Sequence, residues 1–538
     1  MSSRYGNGRL MGAALILGVA SLASRLVGLL RERVLTTTLG AGPTFDSFVA
    51  AFRIPDLLFN LVVLGALSAS FIPLFTDKLV RGDRAEALDF ALAVMNMMLL
   101  IVGGLSICLM LLAPVLVPLI TPGFSGEDLR LTIQLSRIMA LQPLLLAVSF
   151  VLSGVLNSFK RFVVYALAPI FYNVGIIFGV VVLVPRFGAV ALAWGVVIGA
   201  AFHMLIQLPS ALAVGFRWRL SLPWRAGDFA ALWRMMLPRV VGLAAMQVNL
   251  LTVTIVGSSL LAGSITVFHL ANNVQHLPVG VFGIAFAQAA FPTLAEQIAR
   301  GQRRAFVNTL ARAFRYIMFF VVPISLFFFL LRAQIIRVLF GDGAFDWEDT
   351  ILTFETFGYL IASIFAQAAI PLLTRGFYVQ QNTKTPVIIA VISMVTNVIL
   401  ALILAPHMGV QGLALAFSVS AIVNMVLLLG VLHWQLGGFN DGEVVSSLWR
   451  IALAAVVAGG ALQMLKYPVA AVVDMQRAWG VLVQLLAASA GGAGIYLAMT
   501  WLLGSDELVA IKKYLPRKPS AATLAAGTET PRFEGSPE

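Results

Sequence analysis

Apolar runs long enough to cross a bilayer, about 18 residues or more, recur along the chain and are parted by short polar stretches. Their windows predict fourteen helices, near 10–39, 46–75, 85–118, 129–159, 165–184, 190–215, 236–261, 264–298, 306–339, 350–380, 386–405, 410–436, 447–466 and 478–503. Several exceed the roughly 20 residues that a span needs, so tilt, kinks or protrusion are expected. The pattern reads as an all-α polytopic membrane protein.

The polar stretches alternate in character. One set carries Lys78, Arg81 and Arg84; Lys160 and Arg161; Arg217, Arg219, Arg225 and Arg234; Arg300, Arg303 and Arg304; and Lys384. The other set is "GAGPT", "TPGFSGED", "PRFGA", "AGS", "FGDGAFDWED" and "PHMG", with one arginine and several acids. Basic loops stay on the cytoplasmic side, which predicts a multi-pass membrane protein with both termini inside. Lys512, Lys513, Arg517 and Lys518 after the last helix agree with that orientation.

Composition narrows the classes further. The 538 residues are 60% hydrophobic and only 11% charged, against roughly 25% charged in soluble domains. The net charge of +12 is scattered between apolar runs, so it indicates membrane orientation and no nucleic-acid partner. A single cysteine, Cys108, leaves no disulfide framework or thiolate metal cluster. The N-terminus, with Arg4 and Arg9 before an apolar run, resembles a secretory signal, but no cleavage site follows.

Two halves of the chain echo each other. "GAVALAWGVVIGA" at 188–200 matches "GVQGLALAFSVSA" at 409–421, and "FIPLFTDKL" at 71–79 matches "AFPTLAEQI" at 290–298. The acidic stretches "GFSGEDLRLT" and "GAFDWEDTILT" keep the same order. Six helices per half is an even number, so both repeats enter from one side, as in transporters with a site between parallel lobes. The expected organisation is an N-terminal six-helix lobe at 1–220 and a C-terminal one at 221–440. Two additional helices follow at 441–504, then a cytoplasmic tail at 505–538, disordered at its Ala/Thr/Gly/Pro/Glu-rich end.

Charge inside the predicted helices supplies the candidate chemistry, because a charged side chain at mid-bilayer costs about 2.5–3.5 kcal/mol on the insertion scale. In "ASRLVGLLRERVL", Arg25 and Glu32 fall within about 40° of one helical line, and Arg31 lies roughly 120° round from Arg25. Arg31 either faces a water-filled cavity or snorkels to the interface; Arg33 is read as an interface anchor. Asp46, Arg53 and Asn60 share a line in the second helix, Asp56 lies near Arg53, and Pro55 invites a kink. In the eighth helix, "FHLANNVQHLPVGVFG" places Asn272 and His276 one turn apart beside Asn273 and Gln275. His276 is either a packing group or a proton relay. Arg239 opens the seventh helix, and Arg375 is either a basic anchor or a ligand contact. No catalytic constellation, P-loop or metal-spaced cluster stands out, so a transporter without enzymatic activity or cofactor is expected.

The stretch "ASRLVGLLRERVLTTTLGAGPTFDSFVAAFRIPDLL" resembles the opening of the MurJ (MviN) lipid II flippase family, within the multidrug/oligosaccharidyl-lipid/polysaccharide exporter superfamily. "APVLVPLITPGF", Leu192–Val197, "RGFYVQQNTKTP" and "MGVQGLALAFSVSAIVN" extend the resemblance from about residue 10 to 437, and more weakly through the last two helices. It implies fourteen helices in two lobes around a cationic cavity, moving an undecaprenyl-pyrophosphate-linked peptidoglycan precursor from the inner to the outer leaflet. By this resemblance Ser24, Arg25 and Arg31 match the family's serine and two cavity arginines. Glu32 stands where an acid is usual, Asp46 matches the acid of the second helix, Arg53 matches a basic position, and Asp56 stands where Asn is common. Guanidinium groups suit a pyrophosphate because they meet its oxygens in a planar fork and keep their charge.

Several positions depart from some members: Phe59 and Asn60 replace paired arginines, and Asn273 and His276 replace an Arg and a Glu. Gln247, Asn249 and Asn397 stand where some members use acids to hold sodium, so the coupling ion is left open. The expected partner is lipid II or a related polyprenyl-pyrophosphate lipid. The expected headgroup cavity comprises Ser24, Arg25, Arg31, Glu32, Asp46, Arg53, Asp56, Asn272, Asn273, His276, Arg239 and Arg375. Export of another polyprenyl-linked saccharide, cation-coupled drug antiport, and a non-transporting scaffold of the same fold are the alternatives.

Overall fold

A computed structural model of the protein describes residues 2–64, 71–82, 84–219, 244 and 247–514, without the side chains of 2–18, 64 and 511–514. The helices are α1 (Ser2–Leu39), α2 (Pro43–Ala51), α3 (Arg53–Leu58), α4 (Ile72–Val80), α5 (Arg84–Ile120), α6 (Gly126–Met139), α7 (Leu141–Ser158), α8 (Phe162–Phe178), α9 (Val184–Phe187), α10 (Ala191–Leu205) and α11 (Leu208–Ala213). After α12 (Gln247–Gly257) come α13 (Ser264–Pro278), α14 (Ala285–Ala299), α15 (Arg303–Phe340), α16 (Trp347–Ile361), α17 (Ile364–Tyr378), α18 (Lys384–Met408), α19 (Val410–Leu436), α20 (Asp441–Val472), α21 (Ala478–Leu502) and α22 (Asp506–Tyr514). No strand occurs among the described residues.

Ten segments of the described residues are long and apolar enough to cross a membrane, and α16 with α17, bent by 43°, make an eleventh. The other three expected spans fall on α1, rich in charge; on the interrupted stretch 43–80, whose residues 65–70 lie outside the described part; and on 236–261, of which only the end is described. The expected disordered end of the tail, beyond Pro519, also lies outside the described residues.

Proline explains two of the breaks. Pro55 cannot accommodate the carbonyl of Ala51 four residues back, so the helix stops there and resumes after Phe52. The Ser136 hydroxyl donates to that freed carbonyl at 3.4 Å. Pro143 stands in the same relation to Met139, where α6 ends. The expected single helices near 129–159 and 350–380 are each two helices end to end, the second broken at Ala362–Ser363 without a proline. At the second break Ser418 donates to the Tyr359 carbonyl at 2.8 Å. Wide π turns at Phe59–Leu64 and Val279–Ile284 interrupt the second and eighth helices at matching points of the two halves.

Small residues set the closest helix crossings. A methyl group on Gly175 would lie 2.3 Å from the Gly199 Cα, and one on Gly179 2.4 Å from the Gly195 Cα. Two Gly-x-x-x-Gly stretches, on α8 with the π turn that continues it and on α10, thus face each other and bring the backbones into contact. One apolar core lies within residues 58–216, and a larger one joins residues 35–51 and 135–196 to the chain from 253 onward. The two additional helices pack on α15, where Tyr496 donates to the Phe319 carbonyl at 2.7 Å. Arg315 of α15 pairs with Glu443 at 3.2 Å and Glu507 at 3.1 Å, fastening α20 and α22 to the same helix.

Candidate functional site

Where α1, α3, α7 and α8 converge, they enclose a cavity of about 320 Å³ lined by Arg31, Glu32, Arg53, Asp56, Asn60, Gln142 and Tyr172 among apolar groups, with His269 entering from α13. Arg31 donates through Nη1 to Asn173 Oδ1 at 3.0 Å and is ion-paired with Glu32 through Nη2. Its Nε is buried with no hydrogen-bond partner, which leaves a charged donor uncommitted. Asn173 is oriented in turn by its bond to the Pro169 carbonyl at 3.0 Å. Arg53 donates through Nε to Thr254 Oγ1 at 2.7 Å, and Asp56 lies within electrostatic reach of Arg53 and Arg31. Gln142 donates to the Tyr172 hydroxyl at 3.1 Å. The result is a polar wall of fixed donors and charges of both signs inside an apolar bundle, with the free Arg31 Nε able to donate to an acceptor in the cavity.

Glu32 joins the halves. Its Oε1 accepts from Asn273 at 3.3 Å and faces His269 Nε2 at 3.5 Å, while its Oε2 is buried with no partner. Other bonds between the halves lie further toward the acidic-loop end. Asp46, 2% exposed, accepts at 2.7 Å from the Gly263 amide, the Thr266 amide and the Thr266 hydroxyl. A carboxylate is thereby set on the N-terminus of α13, where the helix leaves its amides unpaired and its dipole is positive. Arg33 donates to the Val338 carbonyl at 2.5 Å and to Asp342 at 3.2 Å. Asp349 accepts from the Ala41 amide at 2.9 Å, and the Ala344 amide donates to the Thr37 carbonyl at 2.9 Å. Gly263, at φ +91°, is required there: a Cβ would sit 2.3 Å from the Ala41 carbonyl oxygen. The acidic-loop end is closed.

Of the residues expected in the cavity, Arg31, Glu32, Arg53 and Asp56 line it, and Asn273 touches it through Glu32. Asp46 lies apart, in the closure. Arg25 stacks its guanidinium over Gly280, within electrostatic reach of His276, nearer the basic-loop end. Ser24 is half-buried one position before it. Asn272 points into the C-terminal half, accepting from Gln275 at 2.8 Å. Arg375 lies near the basic end of α17 with a buried Nη1 that has no partner, away from the lining. Arg239 lies outside the described residues. Arg33, expected as an interface anchor, is instead bonded across the halves.

Sequence reasoning missed His269, Asn173, Tyr172, Gln142 and Thr254 at the site. His269 carried one signal, since it stands a single turn before Asn273 on the same helical face. The others carry none, because single or paired polar residues in an apolar run do not say which helix they face.

The chain is similar to known proteins throughout. The family model described as "Lipid II flippase MurJ" matches residues 35–482. A probable lipid II flippase MurJ of Rhizobium meliloti is 29% identical, covering 95% of this chain and 97% of that protein. The corresponding Vibrio cholerae protein is 31% identical, covering 84% and 89%. Among solved structures, a lipid II flippase MurJ in an inward closed conformation superposes with a TM-score of 0.76 at 22% identity, covering 91% of this chain and 99% of that one. An inward-facing multidrug resistance MATE family transporter of the MOP superfamily reaches 0.68 at 14% identity, covering 80% and 99%. The charged first helix, the buried arginine cavity and a family match over most of the length converge, and the chain belongs to the lipid II flippase MurJ family.

Proposed function

We propose that this protein is a lipid II flippase, a multi-pass inner-membrane transporter that moves the undecaprenyl-pyrophosphate-linked headgroup from the inner to the outer leaflet by alternating access during cell-wall biosynthesis. The observation that carries this reading is the buried Arg31 guanidinium, held by Asn173 and Glu32 with its Nε free, at the wall of a membrane-embedded cavity. A pyrophosphate diester is permanently anionic and rich in acceptors, which fits a guanidinium better than any neutral group.

The two halves act as lobes, with both termini and the basic loops in the cytoplasm, so that the closed acidic end is external. The pyrophosphate enters from the basic side, passes Arg25 and reaches Arg31 and Arg53, while the polyprenyl tail stays in lipid. Parting of Asp46 from α13 and of Arg33 from Asp342 then opens the outer end. The chain performs no covalent step, and the energy source is a gradient, the membrane potential or consumption of the product outside.

The test is expression in a host depleted of its own flippase, with lipid II labelled at the outer leaflet. The chain restores labelling, and Arg31→Ala abolishes it while reaching the membrane at normal level. Absence of labelling by the well-expressed wild-type chain refutes the reading and redirects attention to other polyprenyl-linked saccharides.

A further inference from the structure

We propose that His269 is the titratable cation of the cavity, supplied by the C-terminal half, and that it must take up a proton for the site to hold a pyrophosphate tightly. This rests on the flippase reading and specifies how its site is charged.

The charge count motivates it. With both carboxylates ionised, Glu32 and Asp56 offset Arg31 and Arg53, and the net charge of the lining then turns on His269. A lining of zero net charge holds a group that brings two negative charges into a low-dielectric space less strongly than one with an uncompensated cation. His269 is the one imidazole of that lining, and a proton on it makes both ring nitrogens donors and adds a positive charge.

Geometry gives the imidazole two alternative partners. Its Nε2 lies 3.0 Å from the Asn273 amide nitrogen and 3.5 Å from Glu32 Oε1. Neutral, Nε2 accepts from Asn273; protonated, it donates toward Glu32 or toward an anion in the cavity. Proton uptake adds one N–H bond to the ring, with the proton drawn from water, and changes no other bond. Glu32 is the only ionic partner of His269 among the described residues.

The charged groups on neighbouring elements are bonded to other partners or stand away from the imidazole. Asp46 of α2 is bonded to Gly263 and Thr266, and Arg33 of α1 to Asp342. On α16, Asp349 accepts from Ala41, Glu355 accepts from Gln411, and Glu348 stands in the first turn at the loop end. Arg375 and His433 lie in the last turns of α17 and α19, and His276, two turns along α13, faces Arg25. Because Glu32 and His269 belong to different halves, their pairing also ties the proton to the closed state.

Binding of lipid II to the purified full chain, measured from about pH 5 to 8, tests the proposal. The pyrophosphate keeps its charge over this range, so a change in affinity reports the protein. Wild-type affinity is expected to fall on the order of tenfold as pH rises, one charge-assisted hydrogen bond's worth. His269→Gln is expected to bind weakly at every pH, and His269→Arg tightly at every pH, with unfolding temperatures confirming that both are folded. Equal binding by wild type and His269→Gln across the range, with Arg31→Ala still blocking it, overturns the proposal and leaves the flippase reading standing. No lipid II binding by wild type at any pH overturns both.

Discussion

Arg25 and Arg31 lie fewer than two turns apart on α1, yet the fold gives them different work. Arg31 enters the polar cavity, whereas Arg25 lies over the Gly280 backbone, where only the missing side chain leaves room for it. Glu32, on the line of Arg25 by periodicity, is bonded instead with Arg31 and the C-terminal half. The same divergence separates Asp46 from Arg53. Heptad spacing puts them on one face of a continuous helix, but the break forced by Pro55 turns Asp46 to α13 and Arg53 to the cavity. Asp46→Ala removes the acceptor of two buried amides, at about 1–3 kcal/mol for each group left unpaired. The expected outcome is a shift toward an open acidic end. It is read as faster modification of a cysteine placed at Thr266 in a chain with Cys108 replaced, compared with the same reporter carrying Asp46 intact.

Among the elements, the crossing of α8 and α10 is the one whose tolerance is narrowest. Gly175→Val sets a branched side chain against the Gly199 backbone, where a single Cβ already lies 2.3 Å from Cα. Overpacking of this kind costs about 1–3 kcal/mol, and the strain falls beside Asn173 and Tyr172, which orient Arg31 and line the cavity. The variant is expected to unfold several degrees lower in detergent and to transport poorly, while Gly104→Ala, with open space around it, does neither. An unchanged unfolding temperature in Gly175→Val contradicts the close crossing.

On the scale of the molecule, closure at the acidic end is built from paired backbone and charged contacts between segments 217 to 309 residues apart, and transport requires them to part. A disulfide between Thr37→Cys and Ala344→Cys, introduced without Cys108, is expected to halt lipid II flipping under oxidising conditions and to release it on reduction, because the two backbones already meet at 2.9 Å. Transport that continues in the fully cross-linked chain rules out opening at this end.

Membrane class, the positions of most spans, the two chemically distinct sets of loops and the presence of arginines within the apolar helices are local properties. Runs of apolar residues, loop charge and a charged helix face are legible within one or two dozen consecutive residues, and the sequence by itself determines them. Which of those charges meet is a different matter. Arg33 with Asp342, Asp46 with the end of α13, and Glu32 with His269 are contacts between segments more than 200 residues apart. Their register depends on proline breaks, π turns and glycine crossings that rotate one helix against another. Only the tertiary structure could therefore assign Arg31 to the cavity, Asp46 to the closure and His269 to the site, because helical periodicity orders residues along one helix and says nothing of the partner it faces.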